Sequence, residues 1–149
     1  MGLRLCLAIG LAFAGCGGQQ DPLAAGCTDE PETLVRALAR APNAVVLSDG
    51  SRLSDCVRNA RTDGELQNVG IAMSRAADRL FDRAEGGDDR AAVALGYLTG
   101  AARRGGDRTN GVGIELVRRI ELRAGSLARG DAAIAASVQR GLRAGQATG

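Results

Sequence analysis

Apolar residues recur at intervals of three and four along much of the chain, which is the spacing of one helix face. The clearest run opens at Thr62-Asp63-Gly64-Glu65, a sequence that matches the capping box of a helix N-terminus. The pattern predicts a long helix from there to Gly86-Gly87, where the two glycines end it. Its predicted buried face consists of Leu66, Val69, Met73, Ala76, Ala77, Leu80, Phe81 and Ala84.

A shorter helix is predicted ahead of this one, over about Asp29–Ala41. Thr28 or Asp29 is expected to cap it. Pro31 suits its first turn, because the backbone N–H that proline lacks would make no hydrogen bond within the helix there. The predicted apolar face of this helix consists of Leu34, Val35, Leu38 and Ala41.

The helical pattern breaks near residues 45–53, where Asp49-Gly50 lies between two short apolar runs and indicates a tight turn. A short β-hairpin or an irregular loop is expected there. The Ser and Asp side chains of this stretch are interpreted as turn and cap residues, because no base accompanies them for nucleophilic chemistry. Ser54 or Asp55 is expected to cap a short helix that contains Cys56.

Residues 91–102, AAVALGYLTGAA, carry no charge and are too few to cross a membrane as a helix. They therefore predict a buried central helix, which the Asp88-Asp89 pair is expected to cap. Ala92, Gly96 and Gly100 recur every four residues and form a shallow ridge. Either a neighbouring helix of the same chain or a second copy can approach such a ridge closely.

The remaining pattern predicts a loop over residues 103–111 and two more helices. The first of these ends near Gly130, and Asp131 is expected to cap the second. Their apolar positions are Leu116, Val117, Ile120, Ala124 and Leu127, then Ile134, Val138 and Leu142. The prediction for the whole is an all-α bundle of four to five helices over residues 27–144, followed by a disordered tail at 145–149.

The composition restricts the core and the chemistry. A length of 149 residues indicates one domain, and an aromatic content of 2% requires a core of Leu, Val, Ile and Ala. Tyr97 is expected to be buried with its hydroxyl hydrogen-bonded. The chain has no His and no Lys, so an imidazole base, an imidazole metal ligand and a Schiff-base lysine are all excluded.

Charge is unevenly distributed although the net charge is only +2, which does not indicate a nucleic-acid partner. Residues 21–100 carry 9 Arg against 13 acidic residues, whereas residues 101–149 carry 9 Arg against 4. The two parts either neutralise each other within the bundle or present a basic face to anionic lipid or an acidic partner. The candidate partner-binding residues are Arg103, Arg104, Arg118 and Arg119.

The first residues have the features of an export signal. Met1-Gly2-Leu3-Arg4 is short and positive, and an apolar stretch follows over residues 5–15. The segment Leu11-Ala12-Phe13-Ala14-Gly15-Cys16 resembles the lipobox of bacterial lipoproteins, with Phe13 at a position where leucine is usual. An ordinary secretory signal and a plain membrane anchor are the alternatives.

This resemblance implies that residues 1–15 are removed as a signal peptide and that Cys16 becomes the acylated N-terminus of an extracytoplasmic, membrane-anchored protein. Palmitate is one expected acyl group. Residues 16–26 are rich in Gly and polar residues and are predicted to form a flexible tether. Cys6 would leave with the signal, so Cys27 and Cys56 remain, and we predict that they form a disulfide in an oxidising compartment.

The function predicted from these features is that of a membrane-tethered, non-enzymatic domain that binds an envelope partner or contributes to envelope structure. The alternatives are an envelope enzyme working through carboxylates and a sensor of a small ligand. Membrane lipid, through acylated Cys16, and an envelope protein are the expected partners, and a homo-oligomer stays open. No metal, cofactor or nucleic acid is predicted.

Overall fold

The computed structural model describes residues 22–107 and 113–149, and within these residues it is an all-α helical bundle with no strand. This confirms the predicted fold class. A short 3-10 helix, Ala25–Thr28, precedes six α-helices. These are α1 (Pro31–Leu38), α2 (Leu53–Asn59), α3 (Asp63–Glu85), α4 (Asp89–Gly106), α5 (Ile114–Gly130) and α6 (Ala132–Thr148).

Helix α4 lies at the centre of the bundle, as its uncharged sequence predicts. Every residue from Ala91 to Ala102 is buried, and α4 packs against α2, α3, α5 and α6. The hydroxyl of Tyr97 accepts a hydrogen bond from the backbone N–H of Val45 at 3.0 Å and lies 2.9 Å from the hydroxyl of Thr148. The burial and hydrogen bonding predicted for Tyr97 are therefore confirmed.

Glycines bring α4 and α6 into backbone contact. A Cβ atom on Gly96 would lie 2.0 Å from the carbonyl oxygen of Val138, and one on Gly141 would lie 1.9 Å from the carbonyl oxygen of Val93. The next glycine along each helix, four residues on, is as crowded. The predicted ridge of α4 thus packs against a helix of the same chain, and α6 covers the surface that a second copy would need.

The predicted disulfide between Cys27 and Cys56 is present, with both residues buried. It joins the 3-10 helix to α2, two segments separated by the whole of α1 and the following loop. The backbone N–H of Gly26 also donates to a carboxylate oxygen of Asp49 at 2.8 Å. These links hold the first described residues against the loop and α2.

Three predicted helix caps are confirmed. The hydroxyl of Thr62 accepts from the N–H of Glu65 at 3.1 Å, and the Glu65 carboxylate accepts from the N–H of Thr62 at 3.1 Å. Asp88 caps α4, with Arg90 and Ala91 as donors, and Asp131 caps α6. Local sequence signals therefore placed the starts of the three helices correctly.

The caps predicted for α1 and α2 are wrong. Helix α1 begins at Pro31 after Glu30, which makes no side-chain cap, and it ends at Leu38 rather than at Ala41. The carboxylate of Asp29 instead accepts a hydrogen bond from the hydroxyl of Ser48 at 2.6 Å. It therefore binds the loop after α1 rather than the N-terminus of the helix.

Helix α2 begins one residue before Ser54, at Leu53, and no side chain caps it. The hydroxyl of Ser54 is buried and donates to the main-chain oxygen of Gly149 at 2.6 Å. The segment before α2 is an irregular loop with a tight turn at Gly50, whose φ is +84°, and not a β-hairpin.

The loop predicted from residue 103 is also misplaced, because α4 continues to Gly106. A Cβ atom on Gly105 would lie 2.5 Å from the carbonyl oxygen of Ser54, and one on Gly106 would lie 2.8 Å from Cγ2 of Val117. The glycines that suggested a loop therefore serve close packing on α2 and α5. Arg103 and Arg104 are consequently helical. Residues 108–111 of the predicted loop lie outside the described residues.

The predicted disordered tail at 145–149 is wrong as well. Helix α6 continues to Thr148, and Gly149 is buried. The hydrogen bonds from Tyr97 and Ser54 to these last residues explain why they stay helical. At the other end, Leu23 and Ala24 of the predicted tether pack against the core, whereas residues 1–21 are not among those described.

Candidate functional site

The four arginines proposed from sequence engage three different sets of partners. Arg103 donates to the carboxylate of Glu121 on α5 at 2.5 Å. Arg104 donates to the main-chain oxygens of Gln146 and Ala147 at 2.9 and 2.5 Å. Arg104 therefore satisfies carbonyls at the end of α6, which is a structural role.

Arg118 and Arg119 share a single carboxylate. Glu115 accepts from Arg118 at 3.0 Å and from Arg119 at 2.9 Å, one helical turn away on α5. The hydrogen bond from Arg118, followed by that from Arg119, holds the pKa of Glu115 below its ordinary value. The same contact raises the pKa of Arg118. One negative charge thus faces two positive ones, and the four predicted arginines do not form one cluster.

A groove runs between α3 and α5, which lie side by side and point in the same direction. Asp63 and Glu115, at the starts of the two helices, line one end of it, and farther along Arg123 pairs with Asp78 at 2.7 Å. Two open cavities of about 530 and 470 Å³ follow each other along this line. They share Ser74 and Arg119, so they form one continuous groove, which we call the α3–α5 groove.

Aliphatic side chains are exposed in and beside the groove. Ile71 lies in its first cavity and is 43% exposed, and Leu122 lies in its second and is 58% exposed. Ile114, the first residue of α5, is 61% exposed. We call the groove together with Ile114 the α3–α5 face. Single exposed aliphatic residues are common, whereas these three lie on two adjacent helices and give the face exposed apolar area.

The charged residues of the groove are mostly arginines. Arg123 lies 5.8 Å over the ring of Phe81 in addition to its ion pair with Asp78. Within the described part of the chain, Arg75 and Arg129 make no ion pair, so their charges are available to a partner. The complete charged lining consists of Asp63, Arg75, Asp78, Glu115, Arg119, Arg123 and Arg129.

Carboxylates elsewhere hold the fold together. Hydrogen bonds from the Ser51 hydroxyl and then from the Gly26 N–H lower the pKa of Asp49 to about 2. The hydrogen bond from Arg83, followed by the helix-capping N–H groups of Ala91 and Arg90, lowers the pKa of Asp88 as well. A general acid needs a raised pKa, so neither carboxyl is poised for acid catalysis. The interpretation of the Ser and Asp residues around residue 50 as turn residues agrees with these contacts.

The other predicted site residues are three cysteines, two of which lie among the residues that the structure describes. Cys27 and Cys56 are bonded as predicted, and Cys16 lies outside the described residues. Among residues 22–107 and 113–149, no group of three His, Cys, Asp or Glu side chains converges as a metal site. In those same ranges, no helix combines the length and the apolar character that a membrane span requires.

Sequence reasoning missed the α3–α5 groove. Ile71, Ile114 and Leu122 fall outside the apolar stripes of their helices, so they were not assigned to the core or to any site. Their signal in the sequence is an aliphatic residue on an otherwise polar helix face. Only the packing of α3 beside α5 shows that such residues lie on one surface.

No family model matches the chain, and no curated protein or solved structure is significantly similar to it.

Proposed function

We propose that this chain is an extracytoplasmic lipoprotein, anchored to a bacterial membrane through acylated Cys16, whose helical domain is non-enzymatic. In this proposal the α3–α5 face is its interaction surface for a component of the cell envelope. Two features support export and anchoring: the lipobox-like segment that ends at Cys16, and the buried Cys27–Cys56 disulfide, a bond typical of proteins outside the cytosol.

The observation that carries the binding role is the combination of apolar and cationic side chains on the α3–α5 face. Ile71, Ile114 and Leu122 are exposed there, and Arg75 and Arg129 are free of ion pairs among the described residues. Exposed aliphatic area favours association by the hydrophobic effect, and arginine adds recognition of phosphate or carboxylate. Such a face suits an envelope protein or anionic lipid as partner.

An enzymatic role has less support from the same face. A carboxylate-dependent hydrolase needs two carboxyls that face a substrate, one of them protonated. In the groove, Asp78 and Glu115 each hold arginines instead, and the contacts of Glu115 favour its ionised form. The groove is also open to solvent along its length, unlike the enclosed pocket that a small-ligand sensor usually has.

Site-specific photo-crosslinking in intact cells tests the interaction surface. A photo-activatable residue in place of Leu122 is expected to form covalent adducts with an envelope component, whether protein or lipid. The matched control is Val46, an aliphatic residue that is 40% exposed in the loop before α2 and does not line the groove. Equal adduct formation at both positions, or none at position 122, would contradict the proposed surface.

A further inference from the structure

The outermost side of α5 carries alternating aliphatic and cationic residues. Ile114, Arg118, Leu122 and Arg129 fall within about 80° of one another around the helix axis, since each residue turns the helix by about 100°. We call these four residues the α5 crest. The buried residues of the helix, Leu116, Ile120, Ala124 and Leu127, lie on its opposite side. The crest therefore points away from the bundle.

The crest is both apolar and positive. Its two aliphatic residues, Ile114 and Leu122, are 61% and 58% exposed and are two of the large apolar residues that the described chain leaves in solvent. Its two charged residues are arginines. Arg118 and Arg119 share the carboxylate of Glu115, so these three side chains together carry a net positive charge. A surface of this kind suits the boundary between lipid headgroups and acyl chains.

The end of the 3-10 helix, a few residues after the first described residue, lies close to this region. Thr28 and Asp29 line a shallow depression together with Ile71 and Arg75 of α3. Ile71 and Arg75 also line the α3–α5 groove opposite α5. The chain therefore passes along the flank of the α3–α5 face at Thr28, six residues after Pro22, the first described residue.

The length of that segment keeps the domain near its anchor. Five residues separate Cys16 from Pro22, so the two Cα atoms lie at most about 20 Å apart when the segment is extended. A membrane anchored at Cys16 would thus lie within about 20 Å of the first described residue. At such a short reach the effective concentration of lipid at the domain surface is high, so weak contacts are enough to orient it.

We propose that the α5 crest docks on the anionic headgroup surface of the membrane that holds the anchor. This inference rests on the proposed acylation of Cys16. Ile114 and Leu122 enter the interfacial layer, and Arg118 and Arg129 bind lipid phosphates. Leu122 and Arg129 also line the second cavity of the groove, but the crest as a whole is a convex helix side, which fits a flat bilayer surface.

Fluorescence in reconstituted vesicles tests this docking. The mature acylated protein, which begins at Cys16 in the proposal, carries an environment-sensitive fluorophore on the thiol of Leu122→Cys, and Val46→Cys supplies the control position. Cys27 and Cys56 are bonded to each other and buried, so they do not compete for the label. The vesicles contain phosphatidylcholine with phosphatidylglycerol, or phosphatidylcholine alone, each with a lipid quencher spin-labelled near the headgroup.

In phosphatidylglycerol vesicles, the label at position 122 is expected to shift its emission to the blue and to be quenched, while the label at position 46 does neither. Combining Arg118→Glu with Arg129→Glu, or replacing the anionic lipid, is expected to abolish the quenching at position 122. The proposal is overturned if that label stays in water, or if it is shielded equally without anionic lipid. Shielding by a captured protein instead of lipid also overturns it.

Flotation separates this inference from the proposed function. If the protein floats with the vesicles and the label at position 122 stays in water, the anchor stands and the crest proposal fails. If the protein does not float and carries no acyl group, the proposed anchor fails and the crest proposal falls with it. Circular dichroism of the labelled variants establishes that the helices are retained.

Discussion

At the residue scale, the absence of a side chain is decisive in the contact between α4 and α6. Gly141 lies so close to α4 that a Cβ atom would overlap the carbonyl oxygen of Val93, a backbone atom that cannot rotate away. The sequence showed the glycine spacing on α4 but not which helix would use it. Side-chain size at these positions therefore sets the distance between two backbones.

Replacing Gly141 with alanine is expected to destabilise the protein by about 1–3 kcal/mol or more, because an overpacked contact forces the helices apart. Urea unfolding followed by circular dichroism measures this loss. Gly125→Ala is the matched control on α5, where the nearest atom to a new Cβ is 3.7 Å away in the flexible Arg129 side chain. That control is expected to be neutral or slightly stabilising. Equal losses in both variants would refute the close contact.

Asp49 makes a pH-dependent contribution to stability. Its folded-state pKa of about 2 lies below its ordinary value of 3.8, so its stabilising effect is present above pH 4 and is lost as the pH falls toward 2. Asp49→Asn is therefore expected to be less stable than the native chain at neutral pH. The difference between the two unfolding midpoints should shrink as the pH falls to about 2, where Asp49 is about half protonated in the folded chain. A difference that does not change with pH would contradict this assignment.

At the element scale, local signals and tertiary contacts explain different parts of the structure. The capping residues Thr62, Asp88 and Asp131 placed the starts of α3, α4 and α6, because a cap is formed within a few residues of sequence. The ends of α4 and α6 were misplaced because glycines there serve interhelical contact rather than termination. Such ends depend on a partner helix, which no local pattern identifies.

The last turn of α6 depends on Arg104. Arg104→Ala removes the donor to the carbonyls of Gln146 and Ala147, so faster amide hydrogen exchange is expected over residues 145–148. The expected loss of global stability is small, about 1 kcal/mol, since the contact is exposed. Arg143→Ala on the same helix is the control, because Arg143 is exposed and its side chain does not bind those carbonyls. Unchanged exchange in Arg104→Ala would show that the helix end holds without it.

At the scale of the whole molecule, the fold was more predictable than the site. The uncharged run of α4 identified the centre of the bundle, and the cysteine count identified the disulfide. The α3–α5 groove was not predictable, because it arises where two helices distant in sequence lie side by side. Of the arginines chosen by charge alone, Arg103 pairs with Glu121 of α5 and Arg104 donates to main-chain oxygens at the end of α6. Arg118 pairs with the solvent-facing carboxylate of Glu115.

The proposed function joins this domain to a membrane through one residue, and the mass of the N-terminal peptide tests that claim most directly. Protein isolated from cell membranes is expected to begin at Cys16 and to carry the added mass of acyl chains. Cys16→Ala should lack that mass, whereas Cys6→Ala, altered within the proposed signal peptide, should retain it. Recovery of the native protein from the cytosolic fraction with Met1 still attached and no acyl group would contradict the account.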